Sequence, residues 1–518
     1  MIGMLVLLVL DAWADDGRLH DPVRPTSQRV HLALDPASPD THGQTTITLD
    51  VSEKITGFSL HAHELTITSA AIGRPGKRAK PAAVTVGEAG LVRIDAGRKL
   101  KPGAWSVQLA FDGQLHDQTY GLYRFQVDGS WFVASQFEAN DARTAWPCFD
   151  EPAYKVPFEL VVDAPTGLQV IGNAPIVRQE PVGDGTTRSF LQPTPPVPSY
   201  AEALLVGPYV ATEVPGMKVP SRVYTLPGRE ELASMLVSDL GGTVDALETW
   251  FGRPQPYAKL DWILVPEFTF GAMENPGAIV AAERFLPAPA QASPDSARFA
   301  YRTIAHEVAH YWFGDLVTMR WWDDLWLNES FADWLSQHIV AERHPELRDD
   351  VGRVQRRIGM LSFDAQSSSQ PLRTEVDPTA VFETSNLAVY AKGEALLDTV
   401  EAWVGAQPFR DGLQRYLAAH EWGNATAEDL FAALTEASGE DVTAVMLPYL
   451  DHPGAPLLQV APGEGNSRSR SSRWRRRAAR PRGTARGGCP CGCGSAAPTA
   501  PTRCSPACCL RTGRSRCR

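Results

Sequence analysis

Two histidines four positions apart, His306 and His310, enclose a glutamate, Glu307, and eighteen residues separate His310 from a second glutamate, Glu329. The stretch HEVAHYWFGDLVTMRWWDDLWLNES therefore asks first for local structure. On a helix turning about 100° per residue, positions four apart are offset by only some 40°, so both imidazoles project from one face. Two histidines make two ligands, whereas a catalytic zinc needs three protein ligands and an open position. Glu329 opens a second helical segment, ESFADWLSQHIV, after a tight link rich in tryptophan. Two antiparallel helices so joined can set Glu329 opposite the histidine pair as a third ligand. Glu307 then lies beside the metal, placed to take a proton from water rather than to bind the ion. The competing reading is a structural helix whose histidines bond to neighbours, with Glu329 a first-turn acid favoured by the helix dipole.

Two further segments bear on which chemistry such a site would do. Gly271-Ala272-Met273-Glu274-Asn275 precedes the histidine helix on an extended stretch, where the glycine lets a peptide approach the backbone closely. Upstream, QFEANDARTAWPCFDEPAYK carries Gln136 and Glu138. Buried carboxylates facing a metal site are costly unless something positive fills the space between them. A free α-ammonium on a substrate would do so, which separates removal of terminal residues from cleavage inside a chain. Read singly, either glutamate is an ordinary surface acid or cap, and only the combination points to a site.

At 518 residues the chain exceeds a single hydrophobic core, and its 43% hydrophobic composition is that of a globular protein. From 15 to 212 the text is strand-like, with TTITLDV, SVQLAF, FELVVDA and LQVIG separated by Gly, Pro and Asp, which predicts a β-sandwich domain. From 213 to 455 apolar residues recur at three-four spacing. Helices are expected at 231–251 and around 298–313, 329–343, 392–404, 408–420 and 427–438, the last capped by Thr426, with LDWILVPEF and GAMEN extended between the first two. The fold class expected is multidomain α+β.

Charge is unevenly placed. All 60 acids fall at or before Glu464 while fourteen arginines follow it, leaving 35 basic residues in the body. So acidic a body repels phosphates, and nucleic acid is not an expected partner. Residues 456–518 contain seven of the eight cysteines, no lysine, and almost no large apolar residue after Trp474. Such a segment builds no core, its cysteine spacings lack the pairs of a zinc knuckle, and its composition is what an out-of-frame reading of a GC-rich gene gives. At the other end, MIGMLVLLVL with Ala12-Trp13-Ala14 resembles a signal peptide over 1–14, although no positive charge precedes it and Asp11 interrupts it. A cleaved leader implies a periplasmic or secreted protein, its absence a cytoplasmic one. No other run is long enough to span a membrane.

HEVAH, the gap to Glu329 within WLNES, GAMEN and QFEANDAR-x-x-x-PCFDEPA together resemble the zinc aminopeptidases of the aminopeptidase N and leukotriene hydrolase type, the gluzincin family, from about residue 20 to about residue 455. The resemblance implies an N-terminal antiparallel β-sandwich feeding a thermolysin-like, mainly helical catalytic domain, C-terminally truncated here. It implies one zinc ion on His306, His310 and Glu329, with Glu307 as general base. It also implies that Tyr390, within VYAKGEALL, donates a hydrogen bond to the oxyanion. Glu138 and Glu274 would grip the substrate amine with Gln136 beside them, and Gly271, Ala272, Met273 and Asn275 would complete the peptide-binding segment. Substrates would be peptides with a free N-terminal amine. The chain departs from the family at Tyr311, Asp315 and Ser330, where Gln, Asn and Gly are common, and Asp315 is expected to add negative charge near the site. Two alternatives remain: epoxide hydrolysis, which in that family relies on a basic C-terminal domain, and a truncated module that binds without turnover.

Overall fold

The computed structural model describes residues 17–183, 185–377, 381 and 388–454. The leader expected over 1–14 and the Arg- and Cys-rich tail after 455 lie outside them.

The N-terminal half is built from strands whose alternation decides which face is buried. Val23–Leu34 alternates buried and exposed positions along almost its whole length. It pairs antiparallel with Asp40–Val51 and parallel with Phe158–Pro165, at the centre of an eight-stranded sheet. That parallel pair departs from the purely antiparallel sandwich expected. A three-stranded sheet (Ile55–His61, Leu91–Leu100, Ala83–Val86) and a four-stranded one (Gln169–Gly172, Leu204–Gly207, Ser130–Gln136, Gly121–Val127) stack on it. Ile47, Leu49, Val107 and Leu109 of the large sheet meet Phe58, Leu60 and Ile94 of the small one. Val30, Leu32 and Val162 meet Val133, Leu204 and Val206 of the other. Interdigitation of two inner faces is the core of a β-sandwich.

A five-stranded sheet begins the helical half, in the order Val210–Glu213, Arg222–Thr225, Asp261–Val265, Ala278–Ala282, Ala272–Met273. Its central strands Asp261–Val265 and Ala278–Ala282 are buried at every position and pair in parallel, which explains their unbroken apolar sequence. Ala272–Met273 closes the sheet, antiparallel to Ala278–Ala282, and leaves one backbone edge unpaired in the sheet.

The helices follow local rules. After the one-turn α1 (Ala142–Ala145), α2 (Ser234–Phe251) ends at Gly252 in the left-handed conformation. The next helix, α3 (Pro294–Ala309), has Ser293 as N-cap accepting from the Ser296 amide, Pro294 in its first turn and Asp295 near its positive end. Then come α4 (Trp326–Arg343), α5 (Asp349–Asp364), α6 (Ala388–Val404), α7 (Ala406–His420), α8 (Ala427–Ser438) and α9 (Val442–Asp451). Thr426 caps α8 as expected, and the structure adds a reciprocal capping box with Asp429. Helices α5 and α9 were not legible in the periodicity. The first turns Val351, Val354, Ile358 and Leu361 outward and its arginines inward, and the second carries Pro448.

Large aromatic side chains lock the site-bearing helices in place. Trp312, just past α3, stacks on Phe251 of α2 with centroids 4.6 Å apart, and Phe313 stacks on Phe331 of α4 at 4.3 Å. Each fully buried ring of this size contributes roughly 1.5–3 kcal/mol by removal from water.

Glu202 is an exception within this core. It is fully buried, and neither carboxyl oxygen has a hydrogen-bond partner among the described residues. Burial alone raises its pKa from 4.5 to about 8. The folded chain therefore keeps a proton that the unfolded chain releases, and stability falls as pH rises between those values and is level above them. Glu202→Gln should not show this fall. The melting temperature of the variant should gain on that of the wild type from pH 5 to pH 8, and parallel profiles would contradict the assignment.

Candidate active site

The link between α3 and α4 turns the chain back so that His306, His310 and Glu329 converge. Their ligand atoms all lie within 4.8 Å of one another. His306 Nε2 and His310 Nε2 are 3.0 Å apart, and Glu329 Oε2 is 3.3 Å from the first and 3.8 Å from the second. The other ring nitrogens are engaged elsewhere: His306 Nδ1 faces Asp333 Oδ1 at 3.0 Å, and His310 Nδ1 faces the Phe313 carbonyl at 3.0 Å. Both arrangements fix the ring and leave Nε2 toward the third ligand, as a metal-binding histidine requires. Two imidazoles and a carboxylate are also the donor set of hydrolytic zinc. The residues present thus fit a bound metal ion.

Asp333 was missed by the sequence reading, although it sits four residues after Glu329 and so on the same helix face. It also lies 3.7 Å from Arg302, itself one turn before His306. A second group, His338, Asp398 and Glu401, meets the same distance criterion. There, however, Asp398 accepts from Trp334 and is ion-paired with Arg357, so a cation is not what it lacks.

One cavity of about 880 Å³ is lined by His306, His310, Glu329 and Glu307, and also by Glu138, Ala272, Glu274 and Tyr390. Glu307 is buried, and its Oε2 has no hydrogen-bond partner among the described residues. Glu274 Oε1 comes to 3.8 Å from His310 Nδ1. The Tyr390 ring lies 6.2 Å from that of His306, centroid to centroid. Gln136, Gly271, Met273 and Asn275 do not line the cavity. Gln136 lies behind the wall, donating to the Glu138 carbonyl at 3.4 Å, and Asn275 donates to the Glu202 carbonyl at 3.2 Å. Gly271 has φ +93°, and the Phe285 ring fills the place a Cβ would take, so only glycine fits.

The electrostatics of the cavity are dominated by acids out of water. Burial, and then Glu274, Glu329 and Glu307, push Glu138 well above the ordinary carboxylate range. Glu307 is pushed up by burial, against the pull of His306. Burial alone would raise Glu329 too, yet His310 and His306 hold it below its ordinary value. Such a cluster favours whatever brings positive charge.

Of the three departures, Tyr311 is buried and accepts from the Gly277 amide at 2.8 Å. Ser330 donates to the Val389 carbonyl at 2.5 Å. Asp315 is fully buried, and burial and then Glu274 push its carboxyl well up, against the pull of Lys155. The segment around Glu138 is tied to this loop by Lys155, whose ammonium donates to the carbonyls of Asp315 at 2.8 Å, Leu316 at 3.0 Å and Gly423 at 3.2 Å.

The description "Peptidase family M1 domain" matches residues 239–449, and "Peptidase M1 N-terminal domain" matches 24–201. The chain is 32% identical over 448 residues to Aminopeptidase M1-D of Oryza sativa subsp. japonica, covering 84% of this chain and 50% of that protein. It is 31% identical over 467 residues to Puromycin-sensitive aminopeptidase of Caenorhabditis elegans, covering 87% and 49%. With Leucyl aminopeptidase of Saccharolobus solfataricus it shares 33% identity over 368 residues, covering 70% and 47%. The chain thus spans about half the length of the curated relatives it matches. No helix among the described residues is long and apolar enough to cross a membrane.

Removing the partner of His306 tests the site without touching a ligand. Asp333→Asn should weaken metal affinity about 10–100-fold in competition with a chromogenic chelator, with circular dichroism unchanged. Unaltered affinity would deny Asp333 a role in holding the ligand.

Proposed function

The chain belongs to peptidase family M1, and on that premise we propose that it is a zinc aminopeptidase removing the N-terminal residue from peptides. What supports this most is one cavity in which two histidines and a glutamate converge while two further buried glutamates, Glu138 and Glu274, line the wall. His306, His310 and Glu329 hold one zinc ion, which supplies the Lewis acidity that makes water a nucleophile near neutral pH. The substrate's α-ammonium sits against Glu138 and Glu274, replacing the repulsion among acids with attraction. That anchor sets the register, so only the first peptide bond reaches Glu307. The peptide backbone runs along the unpaired edge of Ala272–Met273, where Gly271 keeps the strand close. Glu307 takes the proton of the attacking water and returns it to the leaving amine nitrogen. Tyr390 donates a hydrogen bond to the carbonyl oxygen as negative charge grows on it. Gln136, Met273 and Asn275 support this wall from behind. A folded module that binds but does not turn over is the second reading, favoured only by the half-length match to the relatives.

The test is release of p-nitroaniline from alanyl- and leucyl-p-nitroanilide and their N-acetyl forms. Turnover of the free amines alone, abolished by a chelator and lowered about 10²–10⁴-fold by Glu307→Gln, is expected. Equal turnover of acetylated substrates would remove the role given to Glu138 and Glu274. A folded, metal-loaded chain without turnover would leave the second reading.

A further inference from the structure

Ser330 follows the candidate ligand Glu329 on α4, yet its side chain serves a different element. It is fully buried, and its hydroxyl donates to the carbonyl of Val389, the residue before Tyr390. Val389 and Tyr390 lie in the first turn of α6, where the backbone N–H groups have no partners within the helix and ends fray. Tyr390 is 38% exposed, and its ring lies beside that of His306, 6.2 Å away centroid to centroid. Its position also depends on the backbone that carries it. One turn on, Gly393 packs against the same serine: a Cβ there would overlap the Ser330 Oγ and Cβ. The two helices therefore meet at a serine–glycine contact that no larger pair could make.

We propose that Ser330 is a positioning residue for Tyr390, a tether from the helix that carries the third ligand to the turn that carries the oxyanion donor. The proposal rests on the role given to Tyr390 above. Because Glu329 and Ser330 are consecutive, the turn of α4 that presents the ligand also sets the position of the tyrosine. A misplacement of about 1 Å at such a donor is enough to cost up to about 10²-fold in rate.

Two variants separate tether from packing. Ser330→Ala removes the hydroxyl. Ser330→Gly combined with Gly393→Ala removes it too, but refills the contact, since only the serine side chain stands in the way of the new Cβ. Both should lower kcat about tenfold, with KM changed less than about twofold and metal content unchanged. On a Tyr390→Phe background, Ser330→Ala should have no further effect, because the group it positions is already gone. A second readout needs no turnover: with 3-fluorotyrosine incorporated, the ¹⁹F resonance that disappears in Tyr390→Phe should shift and broaden in both variants. The proposal is overturned if that resonance is unmoved, if the double variant recovers full kcat, or if Ser330→Ala costs the same factor with and without Tyr390. If instead Tyr390→Phe itself leaves kcat unchanged, the role of the tyrosine fails, while the resonance still reads the tether.

Discussion

The burial of like charge around two imidazoles is the constraint on which the rest of the structure depends. Glu138, Glu274, Glu307 and Glu329 share one cavity, all at most 9% exposed, and Asp333 backs it. Carboxylates out of water and near one another are each pushed toward the neutral acid. Among the described residues, the basic side chains paired with them are His306, His310 and Arg302. On the proposed function, a divalent cation on one side and an ammonium on the other would resolve the conflict together. On the proposed reading, the same acids would select both occupants, and the geometry separates their places. His310 and His306 pull Glu329 down, while nothing comparable pulls Glu138 down.

Holding that arrangement falls to apolar packing, not to the charges. The Trp312–Phe251 and Phe313–Phe331 stacks fix the ends of α3 and α4, and Trp334 packs on Trp250 at 5.6 Å. The wholly buried strands Asp261–Val265 and Ala278–Ala282 carry the edge strand Ala272–Met273, so that wall of the cavity is presented by a fully buried part of the helical half. The sandwich contributes Glu138 at the end of its strand Ser130–Gln136, and Lys155 pins that segment to the loop after His310. Three separate stretches of sequence thereby reach one cavity.

Much of this was legible in the residues. The four-residue spacing of His306 and His310, the acid at 329, the strand text of TTITLDV and FELVVDA and the cap at Thr426 each express a local rule, and local rules survive folding. What was not legible depends on neighbours. Asp333 reads as a surface acid until Glu329 is known to face inward. Helix α5 inverts the usual pattern, with Val354 and Ile358 outside and Arg356 paired with Asp349 and Glu394. The parallel pairing of Val23–Leu34 with Phe158–Pro165 spans most of the sandwich and leaves no mark in either strand. Asp315 reads as an ordinary surface aspartate, and its full burial, which pushes its carboxyl up, is visible only in the fold.

The most direct measurement is anomalous diffraction at the zinc edge from crystals grown with zinc and an aminoacyl hydroxamate, a ligand that carries a free amine. One strong peak is expected among His306 Nε2, His310 Nε2 and the Glu329 carboxylate, with the ligand amine between Glu138 and Glu274. A peak at His338, Asp398 and Glu401, no peak at all, or an amine pointing away from both glutamates would contradict the assignment.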